Sequence, residues 1–349
     1  MPIPTSINSL VFQDGFDYYD SFLTKWTANL GSPFPSFQSP GRFGYGQCAN
    51  IGSEDTPNVY KALNGAPYTR LVYGCAVNYY NSSYPSSQNL PATMLGFIDV
   101  NGNQISSLTL DSLGRFRFAG YESNPVIIPI GGWAYVELDV TFSTSASGFF
   151  ELRVNGQSVM SESNIVTSTQ NASYGILLGG NNSGDTLYDD LYVLAPTTTT
   201  LGDSFLGDIK IVPLIPDGVG RVTQFTNNIS ASANWTSVDE TPPDGDTTYV
   251  FSSTPGQEDS YRLPTPNSLT PVSEVYGVSV YAYARKDDSP SRFLSVGVGN
   301  GTTESFDSGT ALGSTYSYVQ RVLPINPLTS ADWAVSDFNN IQIAIKLIS

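Results

Sequence analysis

Short runs in which hydrophobic and polar residues alternate fill most of the chain, broken repeatedly by Gly, Pro, Asn and Ser, and helical periodicity is almost absent. The pattern is strongest in WAYVELDVTFSTSASGFFELRVNGQSVM, residues 133–160. Over residues 134–142 the period is two. Ala134, Val136, Leu138, Val140 and Phe142 share one face, and Tyr135, Glu137, Asp139 and Thr141 share the other. A loop of small polar residues follows and a strand returns over 149–154. Asn155-Gly156 then predicts a type I′ turn into 157–160, because both central positions of that turn need positive φ. Further strands are predicted over 71–80, 93–100, 105–110, 115–119, 173–178 and 189–194, and in the second half over 209–214, 249–252, 259–263, 275–284, 292–298, 316–323 and 341–347. In the 275–284 run, Val275, Gly277, Ser279, Tyr281 and Tyr283 oppose Tyr276, Val278, Val280, Ala282 and Ala284. One short helical turn is expected after Thr329, and APTTTT, 195–200, reads as a linker. No long period recurs, which excludes propellers and solenoids. The prediction is an all-β chain of two β-sandwich (jelly-roll) domains in tandem, residues 1–198 and 199–349.

Composition narrows the function. Two domains suit 349 residues. Charged residues are 13% of the chain against roughly 25% in ordinary domains, so Ser, Thr, Asn, Gly and Tyr must make the surface polar. The 15 basic and 31 acidic residues give −16, divided equally on either side of Thr200 with no Lys/Arg cluster. Phosphate recognition needs such clusters, so nucleic acid is excluded as a partner. Histidine is absent, which excludes Ser-His-Asp and Cys-His catalysis and histidine-based metal sites. Cys48 and Cys75 are too few for a four-cysteine metal site and are expected as small buried thiols. The opening MPIPTSINSLVFQDGF has no basic leader and no long apolar run, so a soluble chain without a secretory signal or membrane insertion is expected.

Several passages together resemble a known family. VFQDGFDYYDSFLTKW, with Asp14, Gly15, Phe16, Asp17, Tyr18 and Trp26, resembles the first strand of the concanavalin A-like (laminin-G-like) jelly roll of tailed-phage virion proteins. GRFGYGQ, 41–47, resembles the following turn and strand, and GGWAYVELDV with ELRVNGQSV resembles the central sheet and its hairpin. YDDLYVL, 188–194, resembles the final strand, which in that family pairs beside the first. FLGDIKIVPLIP from Phe205, WTSVDETPPDGDTTYV from Trp235 and the closing NPLTSADWAVSDFNNIQIAIKL resemble a second module common in phage structural proteins. The resemblance implies a non-enzymatic structural protein located on the virion, either in the tail, baseplate or fibre or as a head decoration. Its partners would be copies of itself and other virion proteins. Since folds host many functions, that step is an analogy. The apolar run 126–130 is expected to be exposed and to meet neighbouring subunits.

Four sets of residues are candidates for chemistry. Asp14, Asp17 and Asp20 would converge with Asp189 and Asp190 if first and last strands are neighbours, as the resemblance implies, and could supply oxygens to a Ca2+ ion. The plainer reading is that these aspartates cap turns. Glu137 and Asp139, two apart on one face, have the spacing of a retaining polysaccharide hydrolase pair. Phe142 stands where such enzymes resemble E-x-D-x-x-E in carrying a third carboxylate, and a solvated strand face explains the pair more simply. Tyr79, Tyr80 and Tyr84 in NYYNSSYPSSQN offer rings for stacking on sugars among amides and hydroxyls, which would make the protein a lectin-like adhesin binding host cell-surface glycans. DETPPDGD, 239–246, reads as a rigid solvated turn.

Overall fold

In a computed structural model the alternating runs become antiparallel sheets. The structure describes residues 9–30, 35–52, 58–80, 92–111, 113–126, 128–129, 131–180, 185–197, 205–229, 232–265 and 271–349. Two compact units are formed, Met1–Ile211 and Val212–Ser349. The division lies beyond the expected 198, because residues 205–211 are spent on the first unit.

The first unit holds β1 (Leu10–Asp14), β2 (Ala28–Leu30), β3 (Ser36–Gln38), β4 (Cys48–Ile51), β5 (Asn58–Ala62), β6 (Arg70–Tyr80), β7 (Ala92–Ile98) and β8 (Gln104–Leu110). It continues with β9 (Phe116–Phe118), β10 (Tyr121–Glu122), β11 (Trp133–Thr141), β12 (Gly148–Val154), β13 (Gln157–Ile165), β14 (Gly175–Gly179) and β15 (Asp185–Leu194). One sheet runs β13-β12-β11-β6-β15-β4-β3, with β1 also on β15; the facing sheet runs β10-β9-β8-β7-β14-β5-β2. The core lies between them. Val136, Leu138 and Val140 of β11 point into it with Tyr73, Phe97 and Phe150, all essentially without exposure. Each such side chain contributes roughly 1.5–3 kcal/mol by leaving water. Tyr73 meets Phe97 edge-on across the layers, and Phe118 meets Phe150. The Asn155-Gly156 turn has φ of 50° and 77°, as its sequence requires. Cys48 and Cys75 are free and buried, and burial, with Asp189 adding to it, pushes the Cys48 thiol up to about 12.

The second unit holds β16 (Gly218–Thr223), β17 (Thr226–Asn227), β18 (Val250–Phe251), β19 (Glu258–Arg262), β20 (Val278–Ala284), β21 (Phe293–Gly299), β22 (Glu304–Phe306), β23 (Thr310–Ala311), β24 (Ser317–Leu323) and β25 (Gln342–Leu347). A six-stranded sheet runs β16-β19-β25-β21-β22 with β23 on β21, and β20-β24 forms a separate ribbon. Val296 and Val298 of the sheet share a core with Val280 and Val319 of the ribbon, closed by Trp333 and Phe338. The expected helical turn is the 3-10 segment Val335–Asn339. Residues 209–214, expected as a strand, form none. Among the described residues no helix is long and apolar enough to cross a membrane.

Candidate functional site

The aspartate of the opening signature is locked inside the first unit. Asp14 ends β1, and its Oδ1 accepts the Phe16 N–H at 2.9 Å and pairs with Lys25 Nζ at 2.8 Å. Its Oδ2 accepts the Tyr19 hydroxyl at 2.7 Å and Trp26 Nε1–H at 2.9 Å. Phe12 and Phe16 pack on Trp26, edge-on and stacked. Burial lowers the Lys25 ammonium to about 8 even though Asp14 pulls it upward. Each oxygen of Asp14 therefore already holds two donors.

A bulge in β15 sets the next pair. β15 pairs with β6, but the register slips between Asp189 and Tyr192, and Asp190 takes a left-handed φ of 50°. Both carboxylates thereby reach the GRFGYGQ loop. Asp189 Oδ2 accepts the Arg42 N–H at 2.9 Å, and its Oδ1 accepts the N–H of Asp190 at 2.9 Å. Arg42 Nη1 donates to Asp190 Oδ2 at 3.3 Å. Asp17 Oδ1 accepts the Gln47 N–H at 2.9 Å. Burial, then the Asp190 charge, raises Asp189, and burial raises Asp190 against the pull of the Ile211 N–H and Arg42. Asp17 is pushed up to about 6 by burial, with Asp190 and Asp14 adding to the shift. The expected Ca2+ site at Asp14, Asp17, Asp189 and Asp190 is corrected here. Among the described residues no three acidic, histidine or cysteine side chains are arranged to hold a metal ion. Protein donors occupy the carboxylates instead, and Asp14 belongs to a different cluster.

The polar face of β11 is not solvated, contrary to the sequence expectation. Glu137 is 1% exposed and Asp139 is not exposed at all. Asp139 takes a two-point hydrogen bond from Arg70, at 2.9 and 2.6 Å. Glu137 lies beneath residues 205–211, which cross this face as an irregular strap. Its Oε1 accepts the Gly207 N–H at 2.8 Å and the Tyr192 hydroxyl at 2.5 Å, while Leu206 N–H donates to the Tyr192 oxygen at 3.1 Å. Burial raises the Glu137 carboxyl; these two donors oppose the shift. At the far end Ile211 N–H donates to Asp190 Oδ1 at 2.7 Å. Arg42 clamps the strap between them, donating to both oxygens of Asp208 at 2.6 and 2.7 Å and to the Ile209 carbonyl at 3.3 Å. Burial alone would lower Arg42, but Asp208 and Asp190 raise it. The spacing of Glu137 and Asp139 thus serves two separate buried networks.

Beside the strap stands an exposed aromatic pair. Phe43 and Tyr45 are 48% and 50% exposed, with centroids 6.4 Å apart and planes 26° from parallel. Lys210, from the strap, places its ammonium 4.5 Å from the Phe43 centroid and 4.4 Å from that of Tyr45. Arg42 approaches Phe43 at 4.9 Å. Glycine makes the loop possible: Gly44 and Gly46 have φ of 82° and 66°, and a Cβ on Gly46 would overlap Asp17 Oδ1.

The tyrosines expected to bind sugar sit elsewhere. β6 extends through Tyr80, so its two-residue period puts Tyr79 on the inner face with Tyr73 and Cys75, where it is 2% exposed. Tyr79 is therefore corrected from ligand platform to core. Tyr80 ends the strand, and Tyr84 lies outside the described residues. Ile128 of the expected apolar contact loop is buried, while Ile127 and Ile130 lie outside the described residues. In the second unit, Glu240 and Asp244 accept from the Thr248 hydroxyl and Asp246 binds Arg285, which accounts for these acids of the 239–246 turn. Sequence reasoning did not single out Phe43, Tyr45, Asp208 or Lys210; the glycine spacing of GRFGYGQ was the available signal.

No protein-family model and no curated protein matches the chain. Solved structures resemble it in fold. An endo-β-1,4-glucuronan lyase from the fungus Trichoderma reesei is 14% identical, over 54% of this chain and 98% of that one, with a TM-score of 0.38. A PL-14 alginate lyase from Aplysia kurodai is 10% identical, over 55% and 100%, at 0.42. Domain 4 of the arabinanase AbnA from Geobacillus stearothermophilus, solved with arabinotriose, is 14% identical, over 54% and 93%, at 0.37. The all-β sandwich class is the conclusion these likenesses share with the sheets described above. The expectation of a non-enzymatic chain is corrected at this point, since polysaccharide lyases stand among these structures and the sandwich gives no ground for excluding catalysis.

Proposed function

We propose that the chain is a component of a tailed-phage particle exposed on its surface, and that its first unit engages a polysaccharide. The observation that carries the reading is the Phe43–Tyr45 pair: two neighbouring rings, about half open to solvent, with an ammonium at their edge. Aromatic faces stack on the C–H faces of sugar rings, and an adjacent lysine offers three donors to sugar hydroxyls or acids. Exposed aromatic side chains give up their contact with water readily and are held here by a loop that glycine makes tight, so little ordering cost remains on binding. The phage setting is supported by the sequence resemblance and by a surface poor in charge.

The test is affinity electrophoresis through gels containing bacterial surface polysaccharides, alginate or dextran. The wild-type protein is expected to be retarded by at least one of them. Replacing Phe43 and Tyr45 together by Ala is expected to weaken retardation about tenfold, since stacked rings contribute roughly 0.5–1.5 kcal/mol each. The melting temperature should not move, because both side chains are exposed. Wild-type mobility unchanged in every gel would remove the polysaccharide reading. Gold-labelled antibody against this chain, applied to intact particles, tests the virion setting separately.

A further inference from the structure

We propose that the strap of residues 205–211 and the Phe43–Tyr45 loop form one switchable binding device, in which seating the strap completes the polysaccharide platform and lifting it dismantles the platform. The proposal rests on the polysaccharide reading and concerns the regulation of that site.

Three features of the geometry support it. First, the platform is composite: its rings come from the 41–47 loop, but its ammonium, Lys210, comes from the strap. Second, the strap has no sheet partner. Three of its backbone N–H groups go to side chains, Leu206 to Tyr192, Gly207 to Glu137 and Ile211 to Asp190. A segment tied by separate side-chain bonds, not by a continuous ladder, opens at lower free energy than the strands beneath it. Third, the clamp is reciprocal. Arg42 belongs to the platform loop and grips strap residue Asp208 at two points, so displacing the strap also releases the residue next to Phe43. Asp208 is 55% exposed at its side chain, so this end of the clamp is open to water and to competing ligands. By linkage, a polysaccharide that binds only the completed platform must stabilise the seated strap.

The experiment follows hydrogen exchange at residues 206–211 and gel retardation in the same preparations of the full chain. The variants are Asp208→Asn, which removes the charge gripped by Arg42 at an exposed position, and Gly207→Pro, which removes the N–H held by Glu137 where φ is 78°. Expected are exchange about fivefold faster in the strap and retardation weakened by a similar factor, with Phe43 and Tyr45 intact. In the wild-type protein, the retarding polysaccharide should slow strap exchange. If exchange is unchanged in both variants, the strap is a fixed part of the fold and the switch is overturned. If exchange rises while retardation holds, the linkage is overturned and the polysaccharide reading stands. If the wild-type protein is not retarded at all, the polysaccharide reading falls and takes the switch with it.

Discussion

β11 and β20 are built on the same alternation, and their polar faces end in opposite situations. In β20, Val280 is buried with Val278, Ala282 and Ala284 packed around its core, while Tyr281 and Tyr283 stay half-buried. There the rings form a ladder with the neighbouring strand: Tyr283 stacks on Tyr316 at 4.9 Å and lies 4.8 Å from Tyr318. In β11, Val136, Leu138 and Val140 enter the core in the same manner, yet Tyr135, Glu137 and Asp139 are also fully buried. The strap and Arg70 make the difference. A period of two tells which residues share a face; whether the polar face meets water depends on segments distant in sequence, here 205–211 and residue 70.

The contrast is broken most severely at Asp139. Replacing Asp139 by Ala leaves the Arg70 guanidinium buried, with its side chain 7% exposed, and without its carboxylate. Removing one partner of a buried pair costs about 3–5 kcal/mol. Urea unfolding followed on the transition of the first unit should show that loss, with the second unit unaffected. A loss below about 1 kcal/mol, the range of surface pairs, would mean that the β11 face is solvated after all.

Much of the fold was legible because local chemistry and tertiary structure agree. The 134–154 hairpin lies within a residue or so of the pattern, Asn155 and Gly156 take the φ their turn requires, and β1 pairs beside β15. The strap was misread for a definite reason. Ile209, Ile211 and Leu214 mimic a period of two, yet the backbone N–H of Ile211 is spent on Asp190, not on a neighbouring strand. The site was hidden in the same way. Asp189 and Asp190 were visible as paired acids, but the bulge that turns both toward residues 41–47 arises from pairing with β6 and β4 together. Tyr79 looked like a loop residue because its strand runs further than the apolar run does.

A smaller and more diagnostic effect is expected at Glu137. Glu137→Ala removes the acceptor of the Gly207 N–H and the Tyr192 hydroxyl, which should cost about 1–3 kcal/mol. Glu137→Gln keeps an oxygen in place and separates charge from hydrogen bonding. Burial lifts the Glu137 carboxyl above its ordinary value of 4.5, so the folded chain holds this proton more tightly than the unfolded chain does. The contribution of this group to stability is therefore greatest at acid pH and is lost as pH rises from about 4.5 through the lifted value. The Gln variant has no such loss, and its stability relative to wild type should climb across that interval in melts taken at successive pH values. A difference that stays flat with pH would mean that Glu137 is solvated, like an ordinary strand-face carboxylate.

The mildest test belongs to β20. Tyr283→Ala removes a ring with two aromatic neighbours on a face that water already reaches. Cross-strand pairs contribute about 0.2–1 kcal/mol each, so the second unit should lose about 1 kcal/mol, well below the cost at Asp139. Because the loss comes from ring contact and not from an uncompensated charge, Tyr283→Phe should restore nearly all of it, whereas no uncharged replacement at Asp139 satisfies Arg70. If Phe fails to rescue, the Tyr283 hydroxyl has a partner that matters, and the β20 face resembles the covered face of β11 more closely than the alternation alone suggests.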